Sequence, residues 1–201
     1  MAAEYVDRIA KGDIPERITE EYKGDFTEIK NNLNDLIDNL QNLTKAALSI
    51  ANGDMSVQVN KRSEHDELVI AFQDMIEAIT QLIEEMNTLA ESAVEGMLDT
   101  RGNASNFQGD FARIVQGVNN TLDAVIGPLN VAGEYVDRIS QGDIPEKITE
   151  DYKGDFNEIK NNLNVLIDAM TDITQLAEDM AAGNLAVEVR ERSSRDTLMQ
   201  A

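Results

Sequence analysis

The sequence predicts an all-α protein in which long amphipathic helices alternate with extended connectors. Three observations support this fold class: a repeated glycine–connector–aspartate pattern, heptad spacing of the apolar residues between those signals, and a scarcity of aromatic side chains. Aromatic residues make up 4% of the 201 residues, and there is no Trp. This composition suits narrow seams between helices better than a wide core or a ring-stacking ligand pocket.

Composition also excludes several function classes. With 38 acidic and 17 basic residues the formal net charge is −21, so no basic patch is available to bind nucleic acid. The absence of cysteine removes disulfides, thiolate catalysis and thiolate metal sites. No apolar run approaches the roughly 20 residues of a membrane span, and the N-terminus does not resemble a secretory signal. We therefore expect a cytoplasmic segment, either free or part of a membrane-anchored protein.

Internal repetition is the most informative feature of the sequence. Residues 4–9 return as residues 134–139, an offset of 130. Residues 12–36 match 142–166 at the same offset with few changes, and residues 53–57 correspond to 183–187. One long super-repeat therefore begins twice.

The super-repeat divides into smaller units, each with a glycine that ends a helical pattern. These glycines, at steps of 41, 43, 46 and 41 residues, are Gly12, Gly53, Gly96, Gly142 and Gly183. Thirteen or fourteen residues after each glycine stands an aspartate: Asp25, Asp66, Asp110, Asp155 and Asp196. Glycine can turn left-handed at a helix end, and aspartate can accept free N–H groups at a helix start. The sequence predicts five units, the last truncated: residues 1–41, 42–86, 87–126, 127–170 and 171–201.

Apolar residues between these signals have heptad spacing, which makes helices pair as coiled coils. One seam contains Phe26, Ile29, Leu33, Leu36, Leu40, Leu43, Ala47 and Ile50, and another contains Leu68, Phe72, Met75, Ile79, Leu82, Met86, Leu89 and Ala93. Because each seam runs past a unit boundary, the second helix of one unit continues into the first helix of the next. A helix over residues 25–52 would be about 40 Å long. One thin chain cannot cover so narrow a stripe of apolar residues by itself. We therefore expect a second copy of the chain to cover it.

A later seam departs from the strict heptad. Its residues Phe111, Ile114, Val118, Leu122 and Val125 include two successive steps of four. Such a stutter locally unwinds a supercoil.

The connectors have a pattern of their own. Met55, Val57 and Val59 alternate with polar residues, as do Leu185, Val187 and Val189, whereas Ile14 and Ile18 mark a second connector type. Alternation indicates an extended strip laid along helices, with alternate side chains buried. A helical hairpin needs only about 2–5 residues, whereas a dozen extended residues can span a helix and let two helices run parallel.

Together these residues resemble the HAMP domain of bacterial chemoreceptors and sensor kinases. The second unit matches best, with Gly53-Asp54-Met55, then Val57 and Val59, then Asp66-Glu67-Leu68, then Phe72 to Met75. Asn34 and Asn164 stand where the family's second helix often carries Asn, and Pro128 resembles the proline that often opens its first helix. Other units depart from the pattern: the first, third and fourth have Asp-Phe in place of Asp-Glu, and the third lacks the aspartate after Gly96.

The resemblance implies a parallel four-helix bundle, two helices from each chain of a homodimer, with the connectors outside. It also implies a relay that passes a conformational change from an input domain to an output domain of a chemoreceptor or sensor kinase, without a cofactor or small-molecule ligand. The residues expected to carry this role are Gly12, Gly53, Gly96, Gly142, Gly183, Asp66, Glu67 and Pro128 at helix ends, Ile14, Ile18, Met55, Val57 and Val59 in connectors, and Leu33, Leu36, Leu40, Phe72, Met75 and Ile79 on the seams.

Two other function classes remain open. A static coiled-coil spacer would explain the seams, although it would not need the repeated interruptions. An enzyme fragment, such as the dimerisation region of a kinase, would need an ATP site or a phospho-acceptor motif, and the single histidine, His65, is interpreted as a solvated residue before a helix start. Acidic pairs such as Glu84-Glu85 are likewise interpreted as a solvated face.

Overall fold

A computed structural model gives the structure of the chain, and residues 2–200 are described. Its helices are α1 (Ala2–Ala10), α2 (Asp25–Ala51), α3 (Glu67–Val94), α4 (Gly109–Ser140), α5 (Asp155–Ala181) and α6 (Thr197–Gln200), with a 3₁₀ turn at Ala104–Asn106. By internal contacts the chain forms two compact parts, Met1–Gly117 and Val118–Ala201. The described residues contain helices and irregular connectors and no β-strand, so the predicted all-α class is confirmed.

The long helices span the predicted unit boundaries. α2 has 27 residues and α3 has 28, so the heptad seams continue through the positions where one unit was expected to pass into the next. The predicted helix over residues 25–52 ends one residue earlier, at Ala51. A helix of this length is about 40 Å long.

All five predicted glycines end helices in the same way. Each has φ between +80° and +89°, the left-handed conformation that a side chain makes costly. At Gly53, for example, the glycine N–H donates to the carbonyl of Ile50 and the next N–H, of Asp54, donates to the carbonyl of Ser49, both at 2.9 Å. The same pair of bonds closes the helix at the other four glycines, so this sequence signal fixes where each connector begins.

Helix starts differ between units, and here the aspartate prediction holds only in part. The carboxylate of Asp66 accepts the N–H of Val69 at 3.5 Å, which caps α3 as expected, and Asp196 does the same for α6. In contrast α2 begins after Gly24, whose φ is +62°, so Asp25 is already the first helical residue. Its charge complements the helix dipole there, but the capping position belongs to the glycine.

Pro128 does not open a helix, which corrects the expectation from the sequence that it stands at a helix end. It lies inside α4, a continuous helix of 32 residues. A proline inside a helix removes one backbone hydrogen bond, at a cost of about 3 kcal/mol. Packing on both sides compensates: Ile126 is buried, and Pro128 lines a small cleft together with Ile148 and Phe156.

The core is a set of thin strips rather than one broad centre. The buried apolar side chains are Ile18, Leu33, Ile37, Leu43, Ala46, Val69, Leu89, Val115, Ile126, Ile148, Leu163, Ile167 and Ala169. Ile18 and Ile148 belong to connectors, and the other residues belong to the four long helices. The first helix, α1, packs beside α2.

Candidate functional site

The first connector, residues 11–24, is bound to the helix that follows it by side chains on three turns of that helix. Asn34 bonds the backbone of Ile18, Asp38 pairs with Arg17 at 2.6 Å, and Gln41 donates to the carbonyl of Pro15 at 3.3 Å. Connector numbers fall as helix numbers rise, so the connector runs antiparallel to α2.

The spacing of these contacts shows that the connector is extended. From Ile18 back to Pro15 the chain advances 3 residues, about 10 Å if extended, while Asn34 to Gln41 is 7 residues, about 10.5 Å of helix. The agreement confirms the predicted extended strip. Three connector residues thus match two turns of helix.

The second and fourth connectors follow the same reversed order. In the second, Arg62 bonds Asp66 and the carbonyl of Val59 accepts from Gln73 at 2.7 Å. In the fourth, the contacts are Glu150 with Lys160, Ile148 with Asn164, and Lys147 with Asp168. Because the first connector retraces α2, and α1 packs beside α2, the geometry indicates that the two helices of the first unit run in the same direction.

Asn34 makes the central contact between connector and helix in the first unit. Its side-chain oxygen accepts the N–H of Ile18 at 2.7 Å and its amide nitrogen donates to the carbonyl of the same residue at 3.0 Å. Both Asn34 and Ile18 are buried. The amide therefore satisfies two backbone groups that packing removes from water. Asn164 makes the same two bonds to Ile148 at the same distances, in a half-buried setting.

The second unit is fastened near its helix start by an ion pair. The guanidinium of Arg62 donates to both carboxylate oxygens of Asp66, each at 2.6 Å, and the N–H of Arg62 adds a third bond. The Asp66 side chain is buried. Hydrogen bonding by Arg62 holds the pKa of Asp66 well below its ordinary value, despite the opposing effect of burial, with smaller contributions from the N–H groups of Arg62 and Val69. Arg192 and Asp196 repeat this arrangement in the fifth unit.

The connector residues predicted from the sequence are buried to different degrees. Ile18 is buried and Ile14 half-buried. Met55, Val57 and Val59 are half-buried and alternate with exposed polar residues, as expected for a strip with one face on a helix. In the fifth unit only Val187 of the corresponding three is half-buried, whereas Leu185 and Val189 are exposed.

The two rows of seam residues are covered to different degrees. With Phe26 as heptad position a and Ile29 as position d, the a residues Leu33 and Leu163 are 9% exposed, whereas Phe26 itself, at the start of α2, is 68% exposed. Seven d residues are 37–50% exposed, namely Ile29, Leu36, Leu68, Met75, Ile159, Leu166 and Met180. Later d residues such as Leu43 and Leu89 are buried by the chain itself. The uncovered row therefore runs along the first half of α2 and α3, and recurs along α5.

The other predicted seam residues lie between these extremes. Leu40, Phe72 and Ile79 are half-buried. Glu67 is the first residue of α3 and is exposed, and it has no described role in the Arg62–Asp66 pair.

Several fastening residues escaped sequence reasoning. Gln41 and Gln73 are polar residues on otherwise amphipathic helices, and Pro15 is fully buried although proline is usually exposed. The available signal was the exact return of Ile14-Pro15 and Asn34 at the offset of 130, as Ile144-Pro145 and Asn164.

Metal and membrane chemistry find no support in the part of the chain that the structure describes. Within residues 2–200 no cluster of three or more His, Asp or Glu side chains could hold a metal ion. None of the helices described for these residues is both long and apolar enough to cross a membrane.

Comparison with known families decides the identity. A sequence model described as HAMP domain matches residues 1–42 and 106–172, and a second model with the same description matches residues 40–81. The chain belongs to the HAMP domain family. The HAMP matches leave out two segments: residues 82–105, which include the end of α3 and much of the third connector, and residues 173–201.

One curated relative resembles the chain over part of its length. Over 133 residues the chain is 25% identical to the methyl-accepting chemotaxis protein McpB of Pseudomonas aeruginosa PAO1. The matched segment covers 64% of this chain and 19% of McpB. The chain thus spans less than a fifth of this relative's length. No solved structure matches the chain.

Proposed function

We propose that the chain is a signal relay, an array of HAMP modules that two parallel copies form together and that transmits a conformational change between flanking domains. The modules are those predicted from the sequence: residues 1–41, 42–86, 87–126, 127–170 and the partial 171–201. The observation that carries the proposal is the uncovered d row: exposed d residues at heptad spacing in the first halves of α2 and α3, and again in α5, on helices that bond their connectors on another side.

A second copy of the chain is the occupant that fits this row. The exposed side chains are Ile, Leu and Met at heptad spacing, which is the surface that a coiled-coil partner buries. On α3 the neighbouring positions Ala71, Ile76, Ala78 and Ile83 are apolar as well, so the stripe is wider than a two-stranded seam. Full burial of such a side chain stabilises a protein by about 1.5–3 kcal/mol. Burying several half-exposed side chains along the array would therefore stabilise a dimer.

The fastenings suggest how such an array could transmit motion. In the first, second and fourth units the described side-chain hydrogen bonds hold each connector to the helix that follows it, so connector and second helix form one body. The described polar contacts between the first helix and this body lie at the last turn of that helix, as in the exposed pairs Arg8–Asp13 and Arg138–Asp143. Apolar contacts elsewhere along it have no directional preference. Two packings of similar energy are then available, and an input domain can bias them by its differential affinity.

The parent protein is inferred from the relative. Because McpB is named as a methyl-accepting chemotaxis protein, we place this array in a chemoreceptor-like protein, with an input domain on one side and an output domain on the other. A sensor kinase is the second choice. The cytoplasmic placement, the absence of a cofactor and the absence of catalysis remain predictions.

Changing the rotational phase of a helix, and measuring the output, distinguishes a relay from a static spacer. The array is placed between an input and an output domain of known activity, and residues are inserted after Lys45, an exposed position of α2. One inserted Ala rotates everything that follows by about 100°, whereas seven restore the heptad phase. For a relay we expect one residue to abolish or lock the output and seven to preserve its response. Equal outputs from both insertions would favour the spacer.

A further inference from the structure

The third connector, residues 95–108, differs from the others at one buried glycine. Gly102 lies so close to both neighbouring helices that a methyl group in place of its hydrogen would stand 2.8 Å from Cγ1 of Val115 on α4. The same methyl would stand 3.2 Å from Cδ1 of Leu89 and from Oε1 of Glu85, both on α3. Val115 is fully buried and Leu89 nearly so. The connector backbone is therefore wedged between α3 and α4.

A hydrogen bond joins this connector to the helix that precedes it. The carboxylate Oε1 of Glu85 accepts the backbone N–H of Asn103 at 2.6 Å. A bond to an ionised acceptor is about twice as strong as one between neutral groups. In the first and fourth connectors the described side-chain bonds to the preceding helix lie at its last turn, between Arg8 and Asp13 and between Arg138 and Asp143. Further along, the described bonds of the first, second and fourth connectors run to the following helix, through Asn34, Gln73 and Asn164. The third connector instead bonds the upstream helix well before its end, at Glu85, nine residues before Val94.

The sequence sets this unit apart at the same two points. Counted from the helix-ending glycine, the position of Gly102 is occupied in the other units by branched aliphatic residues: Ile18, Val59, Ile148 and Val189. On α3 the heptad positions equivalent to Glu85 hold only small residues: Ala71, Ala78 and Ser92. Both residues also fall within 82–105, one of the two segments outside the HAMP matches. Gly102 has no side chain where the connector backbone packs against α3 and α4. Glu85 places a carboxylate where the N–H of Asn103 needs an acceptor.

We propose that Glu85 and Gly102 are positioning residues that clamp the third unit, so that its connector couples α3 to α4 and the unit keeps one packing. The clamp itself is a property of the fold, whereas its part in signalling rests on the proposed relay function. In that function the first, second and fourth units are free to change packing, and the third passes a displacement of α3 to α4 without absorbing it.

Amide hydrogen exchange at Asn103, read by NMR on the full chain, tests the clamp. We expect Glu85→Ala to accelerate exchange at this amide about tenfold or more, because the charge-assisted bond that protects it is lost. Glu85→Gln keeps a neutral acceptor, so it is expected to restore most of the protection. The matched control is Glu84→Ala, which removes an exposed carboxylate one residue away and is expected to leave the rate unchanged.

A second pair of variants tests the wedge. Gly102→Ala is expected to accelerate exchange at Asn103 and to lower the melting temperature, since the added methyl meets buried side chains. Gly133→Ala, inside α4 with no atom within 4 Å of the added methyl, is expected to raise the melting temperature slightly.

An unchanged Asn103 rate in Glu85→Ala would overturn the clamp, as would a Gly102→Ala variant as protected and stable as the parent chain. If Glu85→Ala prevents folding, the Glu85→Gln rate decides, because it must then lie above the parent rate and below that of a free amide. None of these readings depends on a signal, so the clamp can fail while the relay stands. The helix-phase insertions can fail while the clamp stands.

Discussion

Replacing Asn34 by alanine removes both bonds that fasten the first connector to α2. The bonds at 2.7 and 3.0 Å join the amide to the N–H and the carbonyl of Ile18, a residue that is 5% exposed. Truncation leaves two buried backbone groups without partners, at a cost of about 1–3 kcal/mol each. Alanine is the better helix former by about 0.5 kcal/mol, which offsets part of this loss. We therefore expect the free energy of unfolding to fall by about 1.5–5.5 kcal/mol.

Asn164 provides a matched site within the same chain. It makes the same two bonds, to Ile148, but it is half-buried, so water can replace the lost amide more easily. For Asn164→Ala we expect a smaller loss of about 1–2 kcal/mol. The assay is urea unfolding followed by circular dichroism, at one fixed chain concentration because dimerisation contributes to stability.

A control on the same helix removes an exposed amide. Asn31→Ala is expected to change the free energy of unfolding by less than about 0.5 kcal/mol. If Asn34→Ala costs no more than this control, the side chain does not hold the connector, and the proposed unit of connector plus second helix loses its basis. A larger loss at Asn164 than at Asn34 would likewise contradict the reasoning from burial.

Three further predictions concern pH, glycine and the uncovered row. Because Arg62 lowers the pKa of folded Asp66 below its ordinary value of 3.8, the pair stabilises the fold above that pH, and this contribution is lost as pH falls below it. Asp66→Asn should therefore lower the urea midpoint at pH 7 and flatten its decline between about pH 4 and pH 2. Gly53→Ala should lower the free energy of unfolding by about 1 kcal/mol, measured by urea titration, because φ is +84° there. Leu36→Glu should shift analytical ultracentrifugation profiles toward the monomer, whereas Asp35→Glu, one residue away and exposed, should not.

The helix boundaries could be predicted from the sequence because they depend on local chemistry. A left-handed glycine closes a helix wherever it stands, so Gly12 and Gly183 end helices in the same way although 171 residues separate them. Heptad spacing predicted the continuity of α2 and α3 for a similar reason, since it describes residues on the same helix. The start of α2 was less predictable because Gly24 and Asp25 compete for the capping position.

Fastenings between connector and helix could be predicted only in part. Asn34 drew attention through the family resemblance, but its partner Ile18 depends on how far the extended connector reaches along α2. Arg62 and Gln73 are ordinary surface residues in the sequence, and only the fold brings them to their acceptors. The expectation that Pro128 opens a helix was wrong because the helix-breaking propensity of proline was weighed without the packing of the neighbouring Ile126.

The central claim is that two parallel copies of the chain meet along the uncovered d row, and cysteine cross-linking tests it most directly. The chain has no cysteine, so single cysteines can be placed at each position from Glu28 to Leu43 and oxidised mildly. We predict maxima of interchain disulfide at Ile29, Leu33, Leu36 and Leu40, strongest at the exposed Ile29 and Leu36, with minima between them. A flat profile without disulfide would contradict the account, because the helices would then not meet their counterparts along this row.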